Sequence, residues 1–371
     1  MSLAFTEEET MLAQSAQGFF NRFAPVQCFR AARDKSSAER FSRDLWRRMA
    51  DMGFVGAAIP DDQGGAGIGY VGAGLIAQQA ARTMAASPFI SNTIAADILG
   101  RHGDQAARLP NLATGASIIA LAVDEQRRHD PDRINTRAVV SKSGILLNGD
   151  KRMVIDAVAA DQFVVTAKTD DNRLMLLLID AKARGVKVES LDLLDCRDAA
   201  DVRFHDVEAP ADAVIASGHE AAHVLDRGLD LGRALIAAEL LGLAEEAFDR
   251  TIAYLKEREQ FGVKIGSFQA LQHRAARMLI GLEIARSVVI KALRALDEGA
   301  ADATLLASLA KGSVTRTARH ILDEAVQLHG GIAVTDECDI GLFLKRGRVS
   351  GDLLGDDSFQ KERLARLQWR I

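Results

Sequence analysis

No proline follows Pro210, so the last 161 of the chain's 371 residues contain none. A proline inside a helix costs about 3 kcal/mol. A stretch this long that avoids it, and is rich in Ala, Leu, Glu and Arg, predicts long helices. The six prolines all fall earlier, at Pro25, Pro60, Pro88, Pro110, Pro131 and Pro210. A chain of this length is expected to hold two or three structural units.

Three regions follow from local pattern. Residues 1–114 read as helices with breaks. Thr6 before Glu7-Glu8-Glu9 is a plausible N-cap with an acidic first turn. Leu45, Met49, Met52 and Phe54 keep helical spacing up to the Pro60…Gly64-Gly65 loop, and Val71–Met84 and Ile90–Leu99 continue the helices as far as Gly103. Residues 115–214 switch to short β-rich runs: Ser117–Val123, Arg137–Ser141, Ile145–Leu147, Phe163–Thr169, Leu174–Ile179, Val186–Leu191 and Val202–Val207. Turn signals such as Asn148-Gly149-Asp150 and Asp170-Asp171-Asn172 separate them. Strands so short and even predict an antiparallel barrel or sandwich, and without a GxGxxG after a strand no Rossmann site is indicated.

Residues 215–371 predict a helical bundle. Ser267 is expected to cap a helix presenting Phe268, Leu271, Met278, Leu282, Ala285, Val289, Ala292 and Leu296 on one face. A further helix carries Val314, Ala318, Ile321, Leu322, Ala325 and Leu328 and stops at Gly330-Gly331. Three or four long amphipathic helices make a bundle.

Composition excludes other classes. The chain carries 46 Lys+Arg against 51 Asp+Glu, a net charge of −5, with no basic cluster to serve as a nucleic-acid footprint. No apolar run reaches the roughly 18–20 residues that span a bilayer. Met1-Ser2-Leu3-Ala4-Phe5-Thr6 lacks the basic and apolar regions of a signal peptide. Cys28, Cys196 and Cys338 form neither a CxxC pair nor a disulfide framework. The expectation is a cytoplasmic protein without a metal site.

Two motifs narrow this. Arg258-Glu259-Gln260-Phe261-Gly262-Val263-Lys264-Ile265-Gly266-Ser267-Phe268-Gln269-Ala270-Leu271-Gln272 resembles the R-x-Q-F-G-x-x-I-x-x-F-Q-x-x-Q signature of acyl-CoA dehydrogenases. Gln327-Leu328-His329-Gly330-Gly331-Ile332, with Glu337 six residues beyond Gly331, resembles that family's Q-x-x-G-G segment and the carboxylate that follows it. Pro60…Gly64-Gly65 and Phe204-His205-Asp206-Val207-Glu208-Ala209-Pro210 add weaker likeness. The resemblance spans essentially the whole chain. It implies an N-terminal helical domain, a middle β domain and a C-terminal four-helix bundle.

It also implies a reaction. Family members desaturate an acyl-CoA thioester: a carboxylate removes the Cα proton while FAD accepts a hydride from Cβ. So weak an acid yields its proton only where the thioester oxygen is hydrogen-bonded and water is excluded. Glu337 is the base that the resemblance indicates. Arg258, Gln260, Phe261 and Gln269 match positions that hold the FAD of a neighbouring subunit. Gln327, Gly330 and Gly331 match the segment under its adenosine-diphosphate part. A guanidinium suits a pyrophosphate, and paired glycines let backbone approach closely. Asp230 and Arg233 match polar positions near the coenzyme A and the base, and His329 reads as structural. The implied partners are an acyl-CoA, an electron-transfer flavoprotein as acceptor, and other chains in a homo- or heterotetramer.

The middle domain departs from the family. Where members carry T-E-P-x-x-G-S-D to contact flavin and pyrophosphate, this chain has Val123-Asp124-Glu125-Gln126-Arg127-Arg128-His129-Asp130. Where they carry W-I-T-N it has Met153-Val154-Ile155-Asp156, and Ile155 has no hydroxyl for the flavin. Gly232 stands where some members place their base, so Glu337 is the family-type base left. The half-site offered to a neighbour's flavin is kept and the half-site for the chain's own flavin is rewritten. Leu344-Lys345-Arg346…Leu353-Leu354-Gly355-Asp356 resembles the bacterial branch built of two unlike subunits. Two readings stand: an active FAD-dependent dehydrogenase, homomeric or heteromeric, and a non-catalytic subunit that completes a paralogous chain's FAD site. An oxidase or flavin monooxygenase on the same fold is a third, in which Glu337 would have no role.

Overall fold

The protein is described by a computed structural model over residues 3–34, 40–142 and 144–369; Met1 and Ser2 of the N-terminal stretch read above lie outside these. The helices are α1 (Glu7–Phe23), α2 (Val26–Arg33), α3 (Arg43–Asp51), α4 (Gly69–Arg82), α5 (Phe89–Gly100), α6 (Gly103–Ala106) and α7 (Leu109–Ala113). Eight strands follow: β1 (Ile119–Ala122), β2 (Arg137–Ser141), β3 (Gly144–Ile155), β4 (Gln162–Lys168), β5 (Leu174–Asp180), β6 (Val186–Ser190), β7 (Ala199–Ala209) and β8 (Val214–Ser217). The proline-free end contains α8 (Gly218–Glu257), the two-residue strands β9 (Glu259–Gln260) and β10 (Val263–Lys264), α9 (Gln269–Asp297), α10 (Ala303–His329), α11 (Ile340–Asp352) and α12 (Asp357–Trp369). Helices of 40, 29 and 27 residues are what the missing prolines predict. Among the described residues no helix is long and apolar enough to cross a membrane.

Packing divides the chain into two units, one of residues 1–30, 74–85 and 233–371 and the other of 31–73 and 86–232.

In the first unit α10 packs against α9, α11 and α12. Its predicted face is buried throughout: Val314, Ala318, Ile321, Leu322, Ala325 and Leu328. The α9 face is buried from Met278 to Leu296, whereas Phe268 stays exposed and Leu271 half-buried. Ser267 does not cap α9. Its hydroxyl donates to the Lys264 carbonyl at 2.7 Å, and Phe268 takes the cap position without a side-chain bond. Thr6 does cap α1, its Oγ1 accepting from Glu9 N–H at 3.1 Å while Glu9 Oε2 accepts from Thr6 N–H at 2.8 Å. Such a reciprocal box satisfies two backbone donors that a helix start leaves open.

The second unit is built around one sheet ordered β6-β7-β3-β2-β4-β5-β8, with β1 added on β4. The sheet is mixed, not purely antiparallel: β1 runs parallel to β4 from Ile119↔Gln162 to Ala122↔Val165, and β2 meets β4 in parallel at Arg137↔Lys168. Strands β4 and β5 are buried on both faces, which is why Met175–Ile179 reads as an unbroken apolar run and Phe163–Ala167 as one interrupted only by the buried Thr166. At the edge, β6 sets half-buried Val186 and Val188 beside exposed Lys187 and half-buried Glu189, charges that discourage edge pairing. Phe163, Leu147, Leu177, Val202 and Phe204 centre the core. Helix α5 has no polar face and is buried nearly all round, with its buried Ser91, Asn92 and Thr93 each hydrogen-bonded. It ends at Gly100 rather than Gly103, which instead opens the short α6.

Candidate functional site

In the bundle unit the Arg258–Gln272 motif forms a hairpin that closes the end of α8. Val263 pairs with Gln260 and Lys264 with Glu259, leaving Phe261 and Gly262 as a two-residue turn at φ +56° and +78°. Two successive left-handed residues match the twist of the flanking strands. Glycine accepts that geometry freely, while Phe261 adopts it as a strained exception and stands 91% exposed. Its ring meets Phe268 edge-on at 6.3 Å. Backbone bonds tie the hairpin down: Arg258 N–H donates to Tyr254 O at 2.8 Å and Ile265 N–H to Arg258 O at 2.9 Å.

The second motif sits at the end of α10. Gly330 holds φ +68° and ψ −147°, a conformation open essentially to glycine alone. A Cβ on Gly330 or Gly331 would meet nothing within 4 Å, so the backbone there presents an open surface. The two motifs are joined by a ring stack: Tyr254, one turn before Arg258, lies against His329, with centroids 4.5 Å apart and planes at 23°. His329 Nδ1–H donates to Ala325 O at 2.8 Å. Burial, reinforced by the Arg250 charge and opposed by that bond, pushes the imidazole below its ordinary range. Sequence reasoning read His329 as structural and missed Tyr254.

The polar side chains expected at this site are uncommitted. Arg258, Gln269 and Gln327 are exposed and make no side-chain hydrogen bond or ion pair among the described residues, and Gln260 bonds only its neighbour's carbonyl, Glu259 O. A free guanidinium, free amides and bare glycine backbone are a donor set that fits a pyrophosphate-bearing cofactor.

Glu337 lies between this glycine turn and α11. It is exposed, and its carboxylate has no partner among the described residues. The segment that carries it is clamped. Asp339 accepts from Arg30 Nε at 2.7 Å and from Arg250 Nη1 at 2.7 Å, and Arg30 also reaches Asp336 at 3.4 Å. Nothing in the sequence pattern signals these arginines. Arg233 is buried and its Nε donates to Leu354 O at 3.2 Å, with its guanidinium 5.6 Å from the Phe359 ring centre. It is occupied in holding a turn rather than open to a ligand. Lys311, fully buried, grips the same turn through Gly351 O at 2.6 Å and Gly355 O at 3.3 Å, and burial pushes its amine down to about 7.

In the sheet unit Asp230 is buried, and the rewritten 123–130 stretch is bonded to its own surroundings. Asp124 accepts from His129 Nδ1 at 2.9 Å and from Asp130 N–H at 3.1 Å. Glu125 accepts from Lys151 Nζ at 2.7 Å, Asn135 N–H at 2.6 Å and Thr136 N–H at 3.0 Å. The buried Lys151 ammonium completes its set with Thr166 Oγ1 at 2.8 Å and Val123 O at 3.1 Å. Arg127 and Arg128 are left exposed at the tip. At the second rewritten stretch Met153 and Asp156 are left-handed, at φ +49° and +59°. Asp156 is buried and accepts from Ser91 Oγ at 2.5 Å. These carboxylates, their lysine and Ser91 answer one another, and Ile155 brings no hydroxyl, so the stretches do not fit the flavin-contacting role.

Comparison with known proteins gives matches over most of the chain. The acyl-CoA dehydrogenase C-terminal domain family matches residues 222–368 and the acyl-CoA dehydrogenase N-terminal domain family residues 6–116. Mitochondrial isovaleryl-CoA dehydrogenase of Pongo abelii is 28% identical over 361 residues, covering 93% of this chain and 84% of its own length. The caffeyl-CoA reductase-Etf complex subunit CarC of Acetobacterium woodii is 28% identical, covering 93% of this chain and 94% of its own. Among solved structures, a variant of the Tcur3481-Tcur3483 steroid ACAD is 31% identical, covers 98% of each chain and superposes with a TM-score of 0.89.

Proposed function

The chain belongs to the acyl-CoA dehydrogenase family, FAD-dependent oxidoreductases acting on CH–CH groups, and from that premise we propose that it serves acyl-CoA α,β-desaturation as one subunit of a heteromer. In this reading it completes, with Arg258, Gln260, Phe261, Gln269 and the Gln327–Gly331 segment, the FAD site of a paralogous chain, which supplies the catalytic half. FAD, when bound, accepts the hydride that leaves Cβ.

One contrast carries the reading. The donors that a neighbour's cofactor needs are exposed and unspent, while the carboxylates where the chain's own flavin contacts belong are consumed by Lys151, His129, Ser91 and backbone N–H groups. Arg258 would pair with the pyrophosphate, Gln260 and Gln269 would orient it, and the Gly330-Gly331 backbone would let it approach. The names of two relatives point the same way: one joins two chain designations, and the other is a subunit of an Etf complex. An electron-transfer flavoprotein is accordingly the proposed acceptor, and a steroid-type acyl-CoA heads the substrates to try.

The test is the visible spectrum. Purified alone the chain is expected to be colourless. Co-expressed with a homologue encoded beside it, the pair is expected to carry a flavin band that an acyl-CoA bleaches. A stoichiometric flavin band in the chain alone, bleached by an acyl-CoA, sinks the subunit reading.

A second reading, in which Glu337 is the base, draws support from its free carboxylate on a clamped segment. Against it stands exposure, because a solvated carboxylate is far too weak a base for an α-proton unless water is excluded. Under the subunit reading Glu337→Gln leaves turnover of the assembled pair unchanged. A loss of turnover with FAD still bound would instead identify Glu337 as the base.

A further inference from the structure

Helix α8 touches the segment around Gly330-Gly331 at two points. Tyr254 stacks on His329, the residue before the glycine pair. Arg250, one turn earlier on α8, reaches Asp339 beyond the pair. Tyr254 is also the residue whose carbonyl receives Arg258 N–H, so the same position that meets His329 anchors the start of the hairpin. The imidazole cannot swing freely: it is buried, and its Nδ1–H is fixed on Ala325 O one turn back in α10. That bond sets both the ring plane and the tautomer. The ring stack lies between two uncommitted donor segments, one from each helix end.

We infer that Tyr254 and His329 are positioning residues for the flavin half-site: their stack sets the distance between the Arg258 guanidinium and the Gly330-Gly331 backbone, so that both meet one adenosine-pyrophosphate group. The inference rests on the half-site reading above. Neither ring needs to touch the cofactor. A ligand held by two segments pays for any slack between them, because each must be ordered on binding; a prefixed separation removes that cost. The Tyr254 hydroxyl has no part in this, and its ring is what matters.

The test uses the co-purified pair and measures FAD dissociation by flavin fluorescence after dilution. Tyr254→Leu keeps apolar bulk without a ring, and His329→Ala removes both stack and Nδ1 bond. Each is expected to weaken FAD binding roughly tenfold, in line with the loss of one aromatic pair. Tyr254→Phe restores the ring and is expected to bind FAD within twofold of the wild type. Circular dichroism and the oligomeric state are recorded alongside. Wild-type FAD affinity in both Tyr254→Leu and His329→Ala, while Arg258→Ala loses the cofactor, overturns the inference and leaves the half-site standing. So does a loss of FAD that only parallels loss of the assembled pair. An Arg258→Ala pair that keeps FAD at wild-type affinity overturns the half-site reading itself.

Discussion

Lys151 Nζ lies 2.7 Å from Glu125 Oε1 with both side chains almost wholly out of water, at 0% and 5% exposure. Burial pushes the lysine down to about 8 although the Glu125 carboxylate opposes it. Burial also acts against the Glu125 charge, but Lys151 and Thr136 outweigh it and hold the carboxyl below its ordinary value. Removing one partner leaves the other charged and buried, a loss of about 3–5 kcal/mol. Glu125→Gln is therefore expected to lower the urea midpoint far more than a substitution at exposed Arg127. A double Glu125→Leu, Lys151→Met variant should recover part of the loss, which a double-mutant cycle reads directly.

The same lysine gives a pH signature. Between about pH 8 and its unfolded value near 10.4 the unfolded chain holds a proton on Lys151 that the folded chain has released. Stability rises with pH wherever the unfolded state binds more protons. This group's contribution should thus increase across that window and vanish in Lys151→Met, measured as the difference between the two proteins' urea midpoints from pH 8 to 10.

Gly242 on α8 marks a close approach to α4. A Cβ there would lie 2.1 Å from the Gln78 carbonyl oxygen and 3.1 Å from the Ala81 Cβ. Backbone cannot yield as a side chain tip can, so the helices must part. Gly242→Ala is expected to destabilise by about 1–3 kcal/mol as an overpacked core does, despite alanine's better helix propensity. A thermal midpoint equal to the wild type's would show that the contact is slack.

Elements set by local chemistry were readable in the sequence, and contacts between distant residues were not. The long helices followed from absent prolines and from apolar spacing, and Gly330 ended α10 where a left-handed residue was needed. The Arg258–Gln272 signature was legible because it is contiguous, but the hairpin it forms was not, since Phe261 carries no turn signal and takes a left-handed conformation only in the fold. Strand β8 escaped because four residues after Pro210 show no alternation. The parallel pairing of β1 with β4 escaped because register with a distant strand leaves no local mark. Ser267 looked like a cap, yet its hydroxyl found the Lys264 carbonyl first. The rewritten 123–130 stretch was visible as a departure, but only the fold shows that Lys151 closes it. Tyr254 and His329 each looked ordinary, and their meeting depends on where two helices end.

His329 predicts an acid limit to the bundle's stability. Burial, with the Arg250 charge, lowers its affinity for a proton when folded. As pH falls through the unfolded value near 6.5, the unfolded chain takes up a proton that the folded chain resists, so stability is lost. Above that pH the contribution is complete. The thermal midpoint should drop more steeply between pH 6.5 and 5 in the wild type than in His329→Phe, which keeps a ring and cannot titrate. Parallel slopes would contradict a neutral, buried imidazole.

Asp339 is the hinge pin of the Glu337 segment. It takes both Arg30 and Arg250 at 2.7 Å, and all three side chains are partly buried, at 18%, 22% and 34% exposure. Asp339→Asn keeps the shape but removes the charge that two guanidiniums share, leaving them to repel across the site. The expected loss is about 2 kcal/mol, between the values for exposed and buried pairs, and it should shrink in high salt as the repulsion is screened. Glu337→Gln, two residues away with no partner to lose, should leave stability within about 0.5 kcal/mol. Urea midpoints of the two variants at low and high salt check both halves. A larger loss for Glu337→Gln than for Asp339→Asn would show that the carboxylate at 337, and not the one at 339, is held by the fold.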